Sequence, residues 1–212
     1  MRLLSIALLL LIAAGCKQTN KIPDDFDYGQ VENGVYKNDF FDMEIPLIPG
    51  WDVRSKEAMD QLVEKGAEEM GKKNKKLAAA VKSGQVSTAK LLMLFKYPAD
   101  SVGATVPTFN ASYILFAENL GLRYDIRTGS DYLDASQKLL KQNRTDYKIA
   151  PKYTTMKIGD RNFDIMRMTT RGITQLYCCT VEKGFALVML LSFADEEQED
   201  ELQSMLHRIS LK

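Results

Sequence analysis

The sequence predicts an α+β fold: an antiparallel β-sheet of about six to seven strands with helices packed on both faces. Three observations predict it. Residues 91–95, 112–117 and 185–193 are apolar almost throughout, with Ser192 the one polar interruption in the last stretch. That is the pattern of strands buried on both faces. Candidate strands in the second half of the chain are joined by very short links, which suit only antiparallel neighbours. Segments between the strands repeat their apolar residues at helical spacing, which supplies the cover a two-sided sheet requires.

The elements follow in order. Asn33-Gly34 is a turn signal. Val35-Tyr36-Lys37 then leads to Phe41, Met43 and Ile45, which alternate with Asp42 and Glu44. That period of two predicts a half-buried hairpin strand, stopped by Pro46. Pro49-Gly50-Trp51 is a turn carrying the only tryptophan. Ser55 is placed as a helix N-cap, with Met59, Leu62, Val63, Gly66 and Met70 on one face behind it. A second helical stretch carries Leu77, Ala78 and Val81, and Lys72, Lys73, Lys75 and Lys76 lie between the two. Strands follow over 88–97 and 112–117. A helix opens at Ser130-Asp131 and runs to about Asn143. A meander over 153–158, 162–170, 174–181 and 185–193 comes next, turned at Gly159-Asp160, Arg171-Gly172 and Lys183-Gly184. The last helix has Asp195 and Gln198 at capping-box spacing and a stripe of Leu202, Met205, Leu206 and Ile209.

Composition bounds the function. The chain has 212 residues, 45% of them hydrophobic, which suits one folded domain. Lysine plus arginine and aspartate plus glutamate balance at 28 each. No basic excess supports nucleic-acid binding. His207 is the only histidine, so a multi-histidine metal site is excluded. No phosphate-cradling glycine loop, Gly-x-Ser-x-Gly or His-Glu-x-x-His occurs.

The first sixteen residues carry the sharpest signal. Arg2 precedes an apolar run from Leu3 to Ala14, then Gly15 and Cys16. The run is shorter than the roughly 20 residues a membrane-spanning helix takes. A charged start, apolar middle and small-residue end is the order of a secretory signal. With cysteine directly after the small residues it resembles a bacterial lipoprotein signal, although Ala13 stands where leucine is usual. That resemblance implies removal of residues 1–15 and lipidation of Cys16 by palmitate-type acyl chains. Cleavage without lipidation would instead leave a free thiol. Residues 16–30 then read as a lipidated flexible tether and 31–212 as a single domain. Lys17 permits outer-membrane sorting in a two-membrane bacterium. In a one-membrane bacterium the same protein occupies the outer leaflet of the plasma membrane.

Local patterns, in order, carry a resemblance of fold. They are Tyr36-x-Asn38-x-x-Phe41-x-Met43-x-Ile45-Pro46 with Pro49-Gly50-Trp51, then Asn110-Ala111-Ser112-Tyr113-Ile114-Leu115 with Glu118-Asn119-Leu120, then Ser130-Asp131-Tyr132-Leu133, and a meander ending in an acidic helix. Together they resemble the PsbP-like fold, in particular the DcrB-related bacterial lipoproteins. The resemblance spans roughly 31–212 and departs from the family at the lysine-rich stretch around Gly71. It implies a domain that binds or organises other proteins, and it brings no catalytic, cofactor or metal residues.

The remaining candidate residues each have a plain structural role beside a functional one. Trp51 is either a ligand-stacking surface or a core plug. Cys178 and Cys179 project to opposite faces of a strand, as buried inert thiols or as a vicinal disulfide or redox pair. His207 falls one residue off the last helix's stripe and reads as a surface residue. The acidic run Glu196, Glu197, Glu199, Asp200, Glu201 reads as a dipole-favoured helix start in preference to a calcium loop. The lysine cluster reads as a solvated face in preference to a lipid-headgroup site. The expected function is a membrane-anchored envelope module, non-catalytic and cofactor-free, that binds an unidentified envelope protein. The alternatives are a small-ligand-binding lipoprotein and a carboxylate- or cysteine-based enzyme.

Overall fold

A computed structural model describes residues 21–73, 84–98, 109–121, 123–143 and 147–212. The signal segment with Cys16, the stretch with Leu77, Ala78 and Val81, and Lys75 and Lys76 lie outside the described residues. The elements are β1 (Gln30–Glu32), β2 (Val35–Asn38), β3 (Met43–Pro46), β4 (Asp52–Val53), α1 (Lys56–Lys73), β5 (Thr88–Phe95), β6 (Ser112–Asn119), α2 (Gly129–Asn143), β7 (Lys148–Ile149), β8 (Thr154–Ile158), β9 (Arg161–Thr170), β10 (Ile173–Glu182), β11 (Phe185–Phe193), α3 (Glu196–Leu206) and β12 (Ser210–Leu211).

The strands form two sheets. The larger has eight strands in the order β4-β5-β6-β11-β10-β9-β7, with β8 also on β9, and the smaller has the order β1-β2-β3-β12. Every pairing is antiparallel. The expected count of six to seven strands in one sheet is therefore corrected. β4, β7 and β12 are two residues long, too short to show a period. The hairpin of β2 and β3 belongs to its own sheet.

The apolar strands sit at the centre because both their faces are covered. All nine residues of β11 are buried. On one face Met93, Ile114, Phe116, Val188 and Leu190 pack with Met59 and Val63 of α1 and Tyr132, Leu133 and Leu140 of α2. On the other, Leu92, Leu94, Leu115, Leu187 and Leu191 pack with Tyr36, Met43 and Ile45 of the small sheet and Leu202, Met205 and Leu206 of α3. The second face is thus covered by a sheet as well as a helix. The hairpin turns Arg171-Gly172 and Lys183-Gly184 have positive φ at both positions. That conformation matches the twist of the strands they join.

The N-terminal stretch departs from the flexible tether expected over 16–30. Ile22 and Phe26 are only 7% and 8% exposed and belong to the core. The Phe26 ring meets those of Tyr28, Phe40, Phe41 and Phe185 at centroid distances of 5.0–6.2 Å. Asp27 fixes the path. Its carboxylate accepts the backbone N–H of Gly29 at 2.7 Å, of Asp39 at 2.7 Å and of Phe40 at 3.2 Å. The fold therefore includes residues from Lys21 onward rather than from Val31. Ile209 is likewise buried, but it lies past the end of α3, whose C-cap is His207.

Candidate functional site

The two adjacent cysteines occupy opposite faces of β10, Cys178 in the core shared with the small sheet and Cys179 in the core shared with α2. Both are free and buried. Burial pushes the Cys178 thiol up to about 12 and Cys179 well above its ordinary value. Cys179 donates weakly to the Thr180 carbonyl at 3.7 Å. Side chains on opposite faces of one strand cannot bridge, so the vicinal-disulfide reading is corrected. Neither group is a thiolate that solvent can reach.

Trp51 is buried in the core beside Ile48, not displayed as a stacking surface. His207 is exposed, and its backbone N–H donates to the Gln203 carbonyl at 3.1 Å. The acidic run ties α3 to the large sheet. Lys96 pairs with Glu197 at 3.1 Å and Glu201 at 2.9 Å, and Arg167 pairs with Glu199 at 2.9 Å. Among the described residues no group of three His, Cys, Asp or Glu side chains is placed to hold a metal.

A polar arrangement that sequence reasoning did not single out surrounds the start of α2. Tyr132 Oη donates to Glu118 Oε2 at 2.7 Å, and both residues are buried. Burial and then the neighbouring Glu118 charge hold the Tyr132 phenol well above its usual range. Asp164 of β9 accepts the Ser130 backbone N–H at 2.7 Å, which places a carboxylate at the positive end of the helix. The one sequence signal was an acid, Glu118, continuing an apolar strand. The pair is closed to solvent, and its evident work is to fasten α2 to the sheet.

Two concavities can be placed among the described residues. One, of about 220 Å³, lies between the end of α2 and β7, lined by Leu140, Lys141, Tyr147, Ile149 and Pro151. The other, of about 440 Å³, is lined by Asp60, Glu64, Gln85 and Lys90, with Lys90 already paired to Asp60. Ligand pockets typically enclose about 300–1,000 Å³ with mostly apolar lining. The first is small by that measure and the second is polar.

The outer surface offers two further features. Among the described residues β1 ends the small sheet with one side unpaired, and all three of its residues are exposed. Where β5 begins and β6 ends, the chain from the N-terminus enters the fold. The Ile22 backbone N–H donates to the Val86 carbonyl at 3.1 Å, and Asn119 Nδ2 donates to the Lys21 carbonyl at 3.1 Å. Val86 and Tyr124, exposed large apolar side chains, lie at this end.

No family model and no curated protein matches the chain. The solved structures similar in chain path include the following two. LpqN of Mycobacterium tuberculosis, described as involved in cell envelope biogenesis, matches at 13% identity and a TM-score of 0.43, over 80% of this chain and 83% of its own. The cyanobacterial PsbP protein CyanoP of Synechocystis sp. PCC 6803 matches at 13% identity and a TM-score of 0.45, over 87% of this chain and 96% of its own.

Proposed function

We propose that this chain is a lipid-anchored protein of the bacterial cell envelope, acylated at Cys16 after removal of residues 1–15, and that it presents its domain to a protein partner without catalysing a reaction. The observation that carries the reading is the order of charge, apolar run, small residues and cysteine over residues 1–16, followed closely by a fixed point of the fold at Lys21 and Ile22. Two or more acyl chains, at about 0.8 kcal/mol per buried methylene, hold such a domain on a bilayer stably. The unpaired edge of β1 supports the partner. An extended segment of another protein can add to it as a further strand through backbone hydrogen bonds.

The test is made in producing cells. Metabolic labelling with an alkyne fatty acid, followed by mass spectrometry of the N-terminal peptide, should place the label on Cys16. Cys16→Ala should lose the label and release the protein from membranes. A photo-crosslinking side chain at Val31 should then capture one recurrent envelope protein from the anchored form. An unlabelled Cys16 defeats the anchor. An anchored protein with no recurrent neighbour defeats the partner-binding role.

A further inference from the structure

We propose that the end of the large sheet where the N-terminal chain enters is a membrane-contacting surface, with the side chains of Val86 and Tyr124 seated in the interfacial layer of the bilayer. The inference rests on acylation of Cys16. It adds which face of the domain meets the lipid.

Chain length sets the first constraint. From Cys16 to Lys21 a fully extended chain reaches at most about 18 Å. An acylated Cys16 therefore holds the entry end within about 18 Å of the bilayer, and with the sheet upright the opposite end, about 30 Å away along the nine residues of β11, stands clear of it.

Topology sets the second. The Ile22 N–H is bonded to the Val86 carbonyl, so Val86 stands directly beside the first fixed turn of the chain. The neighbouring strand, β6, ends in the same place. The Asn119 N–H donates to the Ser87 carbonyl at 2.8 Å, and the Leu120 N–H to the Gly184 carbonyl at 3.1 Å. The loop that follows β6 carries Tyr124. Val86 is 51% exposed and Tyr124 71% exposed. An exposed tyrosine, apolar in its ring and polar at its tip, suits the interface between headgroups and acyl chains.

Charge adds the third. Lys21 is paired with Asp24 at 2.9 Å and Arg123 with Asp125 at 2.8 Å, while Arg127, whose Nε donates to the Tyr124 carbonyl at 3.4 Å, is exposed and presents a cation beside the tyrosine. The far end, where α3 begins, carries Glu196, which an anionic surface repels.

The experiment uses the full chain purified from membranes, with acylation established by mass spectrometry. The protein is reconstituted into phosphatidylethanolamine–phosphatidylglycerol vesicles containing a lipid with a shallow quencher. Bimane is attached at Val86→Cys, Tyr124→Cys or, as the far-end control, Glu196→Cys. Quenching several-fold stronger at 86 and 124 than at 196 is the expected result. Unlabelled protein gives a second readout. Amide exchange in 84–87 and 123–125 should slow on vesicles relative to Cys16→Ala in solution. Acylated protein with equal quenching at all three sites, or with no slowing at either segment, overturns this inference and leaves the anchor standing. Protein without acyl chains overturns both.

Discussion

Cys178 and Cys179 lie back to back through one strand, each thiol enclosed by its own half of the core. Desolvation penalises the thiolate there, and the sign of the linkage follows. The ordinary thiol value is 9.0, while burial lifts Cys178 to about 12. Below the ordinary value the thiol is protonated in both folded and unfolded chains, so its contribution to stability is fully present. Above it the unfolded chain releases the proton and the folded chain does not, so stability falls as pH rises from about 9 toward 12, by up to about 1.4 kcal/mol per pH unit per group. Tyr113 and Tyr132, also raised by burial, add to the fall from their own ordinary value of 10.0. Urea midpoints measured against pH should be level up to about 8.5 and decline beyond it. Cys178→Ala with Cys179→Ala should flatten the limb that starts near 9 and leave the later one. A double variant with the early limb intact would contradict the assignment. A thiol reagent gives an independent count. The chain holds three cysteines. Native protein should show no reaction at positions 178 and 179, and denatured protein two reactive thiols if Cys16 is acylated or three if it is not. The opposite-face placement of this pair was readable from strand periodicity alone. The roles of Asp27, Glu118 and Asp164 were not. Apart from Gly29, two residues after Asp27, their partners are backbone amides or a phenol distant in sequence, and no local spacing encodes those.

At the scale of elements, what the sequence revealed depended on length and on how complete the burial is. β5, β6 and β11 were legible because their central positions are apolar without interruption, and β8 to β10 because Gly-containing turns punctuate them. Two-residue strands have no period to read. β12 was hidden differently. Ile209 continues the spacing of Leu202, Met205 and Leu206, so one long helix was expected where the chain leaves α3 at His207 and pairs Ser210–Leu211 with β3. The Asp195 cap was readable, and its carboxylate accepts the Gln198 N–H at 2.9 Å. Gln198 reaches back one residue further than a capping box requires, to the Ala194 N–H at 2.9 Å. Close approach is another feature invisible to pattern. Gly129 opens α2 hard against the Cys179 backbone carbonyl, and a methyl group there would collide with a central strand that cannot yield. Gly66, inside α1, has nothing within 4 Å of where its side chain would stand. The same substitution should therefore act in opposite directions. Gly129→Ala should cost about 1–3 kcal/mol through overpacking, whereas Gly66→Ala should gain about 0.5–1 kcal/mol through helix propensity. Thermal melts of the two variants decide it. A Gly129→Ala protein as stable as wild type would mean that α2 does not dock on β10 as described.

Across the whole molecule, the segment from Lys21 to Gly29 couples the two halves of the fold. Its first residues bond to the entry end of the large sheet through Val86 and Asn119, and its later residues bond to the small sheet through Asp27 and Tyr28. Phe26 sits between them, touching Phe40 and Phe41 of the β2–β3 link and Phe185 of β11. A polar stretch with few aliphatic residues reads as a linker by composition. Here the Phe26 ring, which touches both the β2–β3 link and β11, and the Asp27 carboxylate, which fixes the segment to the β2–β3 link, convert it into a clasp. This has a consequence for anchoring, since a pull on an acylated Cys16 would be delivered to the core and not absorbed by slack chain. Two variants separate clasp from tether. Phe26→Ala should cost about 3–5 kcal/mol, the usual range for removing a buried aromatic ring. Asp27→Ala should cost about 1–3 kcal/mol by leaving the Gly29, Asp39 and Phe40 amides without their acceptor. Chemical denaturation of the released domain measures both. If Phe26→Ala unfolds at the same midpoint as wild type, the segment is a tether after all, and the constraint it places on the membrane-facing end is lost with it.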